Sequence, residues 1–208
     1  MLYFFLDFVY RSVYNLVMEN KCNKNKILNI ALDLFSKQGY DAVGVQTLCD
    51  KAGITKPTLY YYFGNKEGVL KELLSVNYEK LNNLLEINSH YIPHPKIYEK
   101  DVIVTLTNVA QTYLKFAKEN EKFYKMVLNA TFAPDCTTLS KIAVEFNAIQ
   151  YQIIEKMFKS MARIHGNMKG SETRLAWTFI GLINTCIALK TQESINEFVK
   201  QFMHGIFS

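Results

Sequence analysis

The sequence predicts an all-α protein with a small N-terminal three-helix head followed by a larger helical body. Apolar residues recur at helical spacing along most of the chain, and no strand-like alternation, internal repeat or low-complexity tract stands out. Of the 208 residues, 49% are hydrophobic and 21% are charged, values typical of a folded globular protein. The composition therefore leaves ample apolar material for a core.

The net charge excludes no class of partner, and the positions of the cysteines and histidines do not indicate a metal site. The net charge of +5 permits a nucleic-acid or anionic partner without requiring one. The four cysteines and four histidines are scattered, whereas a zinc site needs ligands clustered at short spacings. We therefore expect no metal, no cofactor, and a reducing cytoplasmic location.

The first residues of the chain, 1–19, form an apolar leader that differs in composition from the rest of the sequence. Asp7 and Arg11 interrupt the apolar run, and neither a basic start nor a small-residue cleavage site is present, so we expect no stable membrane insertion. One hypothesis is that translation begins at Met18. The alternative is a short amphipathic helix that packs on the body.

Three helices are predicted for the head, at about Asn25–Gln38, Val45–Lys51 and Lys56–Phe63. The first has a single apolar stripe and ends before Gly39, where a left-handed residue commonly closes a helix. Gly53 separates the second helix from the third and lets the two cross closely. This is the geometry of a helix-turn-helix unit.

The body begins with a long helix at about Lys66–Ser89, which the prolines of the stretch 90–95 (HYIPHP) stop. Beyond this break, apolar periodicity predicts five further helices, at Asp101–Lys118, Glu121–Ala130, Asp135–Ile164, Ser171–Lys190 and Glu193–Ile206. The predicted segments are 1–19 (leader), 20–80 (head) and 81–208 (body).

The third helix of the head carries the strongest functional signal. Thr55 is a natural N-cap, Pro57 fits the first turn, and Leu59 and Phe63 lie four apart and face inward. The remaining lysine, threonine and tyrosine side chains point elsewhere. Such a surface suits phosphate oxygens, sugars and base edges.

Residues 27–70 read ILNIALDLFSKQGYDAVGVQTLCDKAGITKPTLYYYFGNKEGVL, which resembles the DNA-binding head of the tetracycline-repressor (TetR) family. The TLYYYFGNKE segment is highly specific for that family. The resemblance implies a DNA contact set on the second and third helices, with Lys66 holding a phosphate: Gln46, Thr47, Thr55, Lys56, Pro57, Thr58, Tyr60, Tyr61, Tyr62 and Lys66. Val43 and Gly44 stand where the family often has Thr or Ser, which puts one phosphate contact in doubt.

Electrostatics are consistent with this interpretation but do not decide it. Residues 20–80 contain nine Lys and six acidic residues, so 9 − 6 = +3. Lys21, Lys24 and Lys26 precede the first helix, where they either reach a DNA backbone or form a solvated terminus.

The last two helices are unusually apolar, with two stripes on the first of them. One stripe can face the core of the chain and the other a second copy, as the family resemblance implies; the alternative is a monomer that buries both. The residues expected at a homodimer interface are Phe179, Ile180, Ile183, Ile187, Phe198 and Phe202.

Aromatic and methionine residues lie between the proline break and these helices. They predict either an adaptable cavity for an apolar or aromatic small molecule or simply a packed core. The candidate pocket residues are Tyr113, Phe116, Phe123, Met126, Phe146 and Tyr151.

The sequence thus predicts a DNA-binding transcriptional regulator. The expected form is a dimeric repressor that a small-molecule inducer releases from a near-palindromic double-stranded operator; activation is left open. No P-loop, GxGxxG, HExxH or GxSxG motif is found, so an enzyme is not expected. The alternative is a helical membrane-peripheral or interaction protein that uses the leader.

Overall fold

A computed structural model describes residues 20, 22–94, 97, 100–131, 133, 137–191 and 194–205. The predicted leader 1–19 therefore lies outside the described residues, as do Pro95 and the predicted helix ends Asp135, Glu193 and Ile206. Every regular element in the described ranges is helical, which confirms the all-α prediction.

Two compact units make up the chain, the first ending at Leu73 and the second beginning at Leu74. This division falls inside one continuous helix, Lys66–Asn88, and the boundary expected at residues 80 and 81 lies further along that helix. Each unit has its own buried apolar residues and is described by itself.

The first unit contains three helices and the start of a fourth. We label them α1 (residues 22–38), α2 (Val45–Ala52), α3 (Lys56–Phe63) and α4 (Lys66–Asn88). The predicted bounds of α3 are confirmed, and those of α2 and α4 differ by one residue at the C-terminal end. Helix α1 starts earlier than predicted. The core of the first unit consists of apolar side chains from all four helices: Ile27, Leu28, Ala31, Leu34, Phe35, Leu48, Cys49, Leu59, Val69 and Leu70.

Five helices follow α4 in the second unit: α5 (Val102–Glu119), α6 (Glu121–Thr131), α7 (Thr138–Ala162), α8 (Glu172–Leu189) and α9 (Ile195–His204). Helix α7 packs along α8 and against α6, while α5 contacts α6, α8 and α9. The loop predicted after α7 contains one short 3-10 turn, Gly166–Met168. Within the described ranges, no helix is both long and apolar enough to cross a membrane.

The core of the second unit contains the aromatic residues that the sequence predicted for a ligand cavity. Tyr113, Phe116, Phe123 and Met126 are buried, and Tyr78 contacts Phe123 edge-on at a centroid distance of 5.4 Å. Phe146, which is half-buried, stacks on Tyr78, and Tyr151 is also half-buried. Such side chains, close-packed at aromatic contact distances, fill space.

The gap beside these aromatics measures about 30 Å³ and is lined by Phe123 and Tyr151 among the six candidates. That is room for about two or three water molecules. Four of the six candidate pocket residues are buried in the core of this unit and two are half-buried, and their role around a ligand stays a prediction.

Asp101, directly before α5, joins the loop after α4 to the loop after α7 through hydrogen bonds. Its Oδ2 accepts hydrogen bonds from the Tyr91 hydroxyl at 2.7 Å, the His94 amide at 2.8 Å and His165 Nε2 at 3.0 Å. The amide of Val102 donates to the other carboxylate oxygen, which caps α5. Burial alone would raise the pKa of Asp101, but these donors outweigh it and lower the pKa to about 2.

Because its folded-state pKa lies below the ordinary value of 3.8, Asp101 stabilises the fold above pH 4, and this contribution disappears as the pH falls towards 2. We expect Asp101→Asn to lower the free energy of unfolding at pH 7 by about 2 kcal/mol. Thermal unfolding followed by circular dichroism from pH 7 to pH 2 measures this difference.

The matched control is Asp41→Asn, because Asp41 is exposed in the first unit. An equal loss of stability at pH 7 for both variants would contradict the role assigned to Asp101. So would a difference between wild type and Asp101→Asn that persists undiminished at pH 2.

Candidate DNA-binding surface

Helix α3 is fixed to the first unit by one fully buried side chain and by caps at both ends. Leu59 has no exposed surface, while Phe63, also expected to face inward, is half-buried. The Thr55 hydroxyl accepts from the Thr58 amide at 3.4 Å, and Gly64 closes the helix with a φ of +74°. A helix of two turns is thereby held without a second apolar face.

The opposite face of α3 is open to solvent. Tyr61 is 78% exposed and Tyr60 46% exposed, and both Lys56 and Pro57 are also exposed. Large exposed aromatic side chains on a short helix are typical of an interaction surface. The structure therefore brings four of the predicted contact residues together on one face.

Thr58 and Tyr62 are engaged within the protein. The Thr58 hydroxyl lies 2.9 Å from that of Thr55, so the two threonines bond each other beside the cap. The Tyr62 hydroxyl donates to Asn20 Oδ1 at 2.9 Å, and its ring lies edge-on to that of Tyr61 at 5.2 Å. Tyr62 is half-buried and ties α3 to the start of the first unit.

Helix α2 presents the second group of predicted contacts. Gln46 and Thr47 are both exposed. The Gln46 amide donates to Asp50 Oδ1 at 2.7 Å, one turn along the helix. Gly44 caps α2 in an extended conformation without a side-chain hydrogen bond, as expected for a glycine in place of Ser or Thr.

Lys66, which was predicted to contact a DNA phosphate, has hydrogen-bond partners within the protein. Its Nζ donates to the carbonyl oxygens of Tyr40 and Val43, both at 3.0 Å, and lies 4.2 Å from the centre of the Tyr40 ring. These bonds close the turn between α1 and α2. In this structure Lys66 therefore holds this turn, and its phosphate contact stays a prediction.

Lys24 and Lys26, which were expected before the first helix, lie within the first turns of α1. Lys24 Nζ lies 2.6 Å from a Glu72 carboxylate oxygen and 5.6 Å from the centre of the Phe63 ring. It therefore joins the start of α1 to α3 and α4. Lys26 is exposed, and Lys21 lies outside the described residues.

The turn between α3 and α4 depends on two residues that the sequence interpretation missed. Asn65 Oδ1 accepts from the Gly68 amide at 2.8 Å and so caps the start of α4. A Cβ on Gly68 would lie 1.8 Å from the Phe63 carbonyl oxygen. An asparagine directly before a helix is a known capping signal; the close approach at Gly68 has no local signal.

We expect Gly68→Ala to lower the free energy of unfolding by roughly 1–3 kcal/mol, because the added methyl group overlaps the backbone at the end of α3. Chemical denaturation of the full chain measures this loss. The control is Gly166→Ala, whose Cβ would meet nothing within 4 Å and whose stability should stay close to wild type. Equal stabilities for the two variants would contradict the close approach.

Among the described residues, no three His, Cys, Asp or Glu side chains are grouped so that they could hold a metal ion. The polar groups on the exposed face of α3 are those of its lysine and tyrosines. Groups of this kind form hydrogen bonds and stacking contacts.

The segment that carries this surface is similar to a known protein family. Residues 27–73 match the family model described as bacterial regulatory proteins, tetR family. Over 67 residues the chain is 31% identical to the biofilm operon icaADBC HTH-type negative transcriptional regulator IcaR of Staphylococcus aureus (strain Newman). That match covers 32% of this chain and 36% of IcaR, so it spans about a third of the relative's length.

Solved structures extend the similarity to the fold of nearly the whole chain. A putative fatty acid metabolism regulator of Clostridium perfringens has a TM-score of 0.69 at 21% identity, covering 88% of this chain and 99% of that one. FadR of Bacillus subtilis, solved in complex with stearoyl-CoA, has a TM-score of 0.67 at 16% identity, with coverages of 87% and 98%. Residues 27–73 thus match the tetR family of bacterial regulatory proteins, and the chain shares the all-helical fold of these solved structures over most of its length.

Proposed function

We propose that the protein is a dimeric transcriptional repressor that binds a near-palindromic DNA operator through α3 and leaves it when a small molecule binds the second unit. The observation that carries the proposal is the exposed face of α3, where Lys56, Tyr60 and Tyr61 project from a helix fixed by Leu59. IcaR, similar in this region, is a negative regulator by its name. Footprinting on the DNA that flanks the gene tests the proposal, and a protected near-palindrome is expected.

Within this proposal, α3 enters the major groove and its exposed side chains contact base edges and phosphates. Lys56 supplies the single cationic contact of the helix, while the phenols of Tyr60 and Tyr61 donate or accept hydrogen bonds. Gln46 and Thr47 on α2 contact the backbone beside it. Thr55, Thr58 and Tyr62 orient the helix through their internal bonds.

The salt dependence of operator binding distinguishes a lysine that contacts a DNA phosphate from one that does not. Removing one lysine–phosphate interaction reduces the slope of log K against log salt by about 0.9. We expect Lys56→Met to reduce the slope by about this amount, and Lys66→Met to weaken binding with an unchanged slope, because Lys66 bonds to carbonyl oxygens within the protein. Fluorescence anisotropy with the footprinted operator, between about 50 and 200 mM salt, measures both.

Val144→Ala serves as the control because Val144 is an exposed apolar residue on α7 in the second unit. Its operator affinity and slope should equal those of the wild type. A slope reduced equally by both lysine substitutions would restore the phosphate role for Lys66, and unchanged binding by Lys56→Met would contradict the α3 surface.

Dimerisation through α8 needs a corrected set of residues. Three residues expected at the interface are buried within the chain: Phe179, Ile180 and Ile183. The ring of Phe179 lies edge-on to that of Phe158 on α7, with 6.1 Å between the ring centroids. The reason is that α7 runs along α8, whose buried face includes these three residues. Three further residues expected there are half-buried: Ile187, Phe198 and Phe202.

The exposed face of α8 is the better candidate for a second copy of the chain. Trp177 on this face is 60% exposed, and Gly181 lies one turn later with nothing within 4 Å of its Cβ position. The hydroxyls of Thr178 and Thr185 donate to carbonyl oxygens of their own helix, at 2.8 and 2.9 Å. Their polar atoms need no further partner, so this face can pack closely against an identical helix.

We expect Trp177→Glu to shift the protein from dimer to monomer and to weaken operator binding strongly, since each copy reads one half-site. Analytical ultracentrifugation and the anisotropy assay measure the two effects. Val144→Glu, which adds the same charge to an exposed position of α7, should leave the dimer intact. A Trp177→Glu variant that remains dimeric would contradict the assignment of this face.

The proposed inducer has an apolar or aromatic body. The solved FadR of Bacillus subtilis, similar in fold, was crystallised with stearoyl-CoA, which supports a ligand that carries an apolar chain. Because a ligand acts only through its different affinity for two states, binding must favour a form in which the two α3 helices no longer match the operator.

A further inference from the structure

A cleft of about 600 Å³ opens in the second unit between the C-terminal end of α5, helix α6 and the C-terminal end of α8. Its volume is about twenty times that of the gap in the aromatic core, 600 against 30 Å³. Volumes of this size hold drug-sized ligands. None of the six candidate pocket residues of the sequence analysis lines it.

Apolar residues from three helices form part of the wall of the cleft. Leu114 and Ala117 come from α5, Leu128 from α6, and Cys186 and Ile187 from α8. Ala117 and Cys186 are buried, and the other three are half-buried, so aliphatic surface borders the open space. Filling the cleft with a hydrocarbon chain would remove that surface from water.

Three lysines and one glutamate also line the cleft: Lys118, Lys125, Lys190 and Glu121. The formal charge of this set is 3 − 1 = +2. Lys125 Nζ and Lys190 Nζ lie 2.9 and 3.1 Å from Glu121 Oε1. Hydrogen bonds from these two lysines, with that of Lys125 the stronger, lower the pKa of the Glu121 carboxyl group. One carboxylate is thus shared by two ammonium groups, and Lys118 is exposed beside them.

Lys190 occupies a backbone conformation that lysine adopts rarely. Its φ is +49°, the one positive value of a non-glycine residue in the described part of the chain. It closes α8 at a position where glycine is the usual residue. A lysine at this place adds strain and contributes an ammonium group to the rim of the cleft.

We propose that this cleft binds an amphipathic anion, an aliphatic chain that ends in a carboxylate or phosphate, with the chain against Leu114, Leu128 and Ile187 and the anionic group between Lys118 and Lys190. The proposal rests on the proposed function in taking this ligand as the inducer. A single carboxylate neutralises only part of the rim, so an anionic head group gains charge-assisted hydrogen bonds there. A ligand with the same chain length but a neutral or cationic head group does not gain these hydrogen bonds.

Isothermal titration calorimetry on the full-length protein, without DNA, tests the site. The probes are laurate and monododecyl phosphate, with dodecyl maltoside and dodecyltrimethylammonium as neutral and cationic controls, all below their micelle concentrations. The two anions should bind, the two controls should bind at least about tenfold more weakly, and the stronger anion shows which head group fits better.

The variant Lys118→Gln/Lys190→Gly should weaken laurate binding by about tenfold and leave the maltoside unchanged. Lys115→Gln is the control, because Lys115 is exposed on α5 but does not line the cleft. Lys190→Gly alone should raise the melting temperature, since glycine relieves the positive φ, so a loss of binding cannot come from misfolding.

Failure of this inference is distinguishable from failure of the proposed function. Absence of laurate and dodecyl phosphate binding, or equal affinities for anionic and neutral probes, overturns the ligand class even if the operator is bound. Binding that depends on the lysines supports it. Whether the same anions release the footprinted operator then tests the repressor mechanism separately.

Discussion

The burial of Leu59 is the constraint on which the functional surface depends. A helix of eight residues is not stable in water by itself, and α3 has few apolar contacts to spare. Leu59 is fully buried, and the caps at Thr55 and Gly64 satisfy backbone groups at both ends. Because this one side chain fixes the rotation of α3, Tyr60 and Tyr61 must face solvent. Exposure of these tyrosines is thus a consequence of where Leu59 lies.

Local signals in the head sufficed to predict its helices. Thr55, Pro57 and the glycines at 53 and 64 mark the bounds of α3 by capping and backbone conformation, which depend on neighbours in sequence. The role of Lys66 could not be predicted in this way, because its two carbonyl partners come from a turn more than twenty residues earlier. The steric need for Gly68 likewise appears only when α3 and α4 meet.

In the body, periodicity predicted the helices but not their neighbours. Helix α8 has two apolar stripes, and the sequence does not say which of them another helix of the same chain covers. Because α7 lies along it, Phe179 and Ile183 became core residues and Trp177 was left exposed. Some of the aromatic residues expected around a ligand contact one another instead, as Phe116 and Phe123 do. The larger open volume lies between the C-terminal ends of α5 and α8 and helix α6, beside three lysines.

We propose that the tyrosine-bearing face of α3 is the part of the molecule that contacts DNA. Oxidative footprinting by mass spectrometry, with and without the protected promoter fragment, tests it most directly. Tyr61 should label rapidly in the free protein and become protected on DNA, while Trp177 should show no DNA-dependent change within the dimer. Equal labelling of Tyr61 with and without bound DNA would contradict the account.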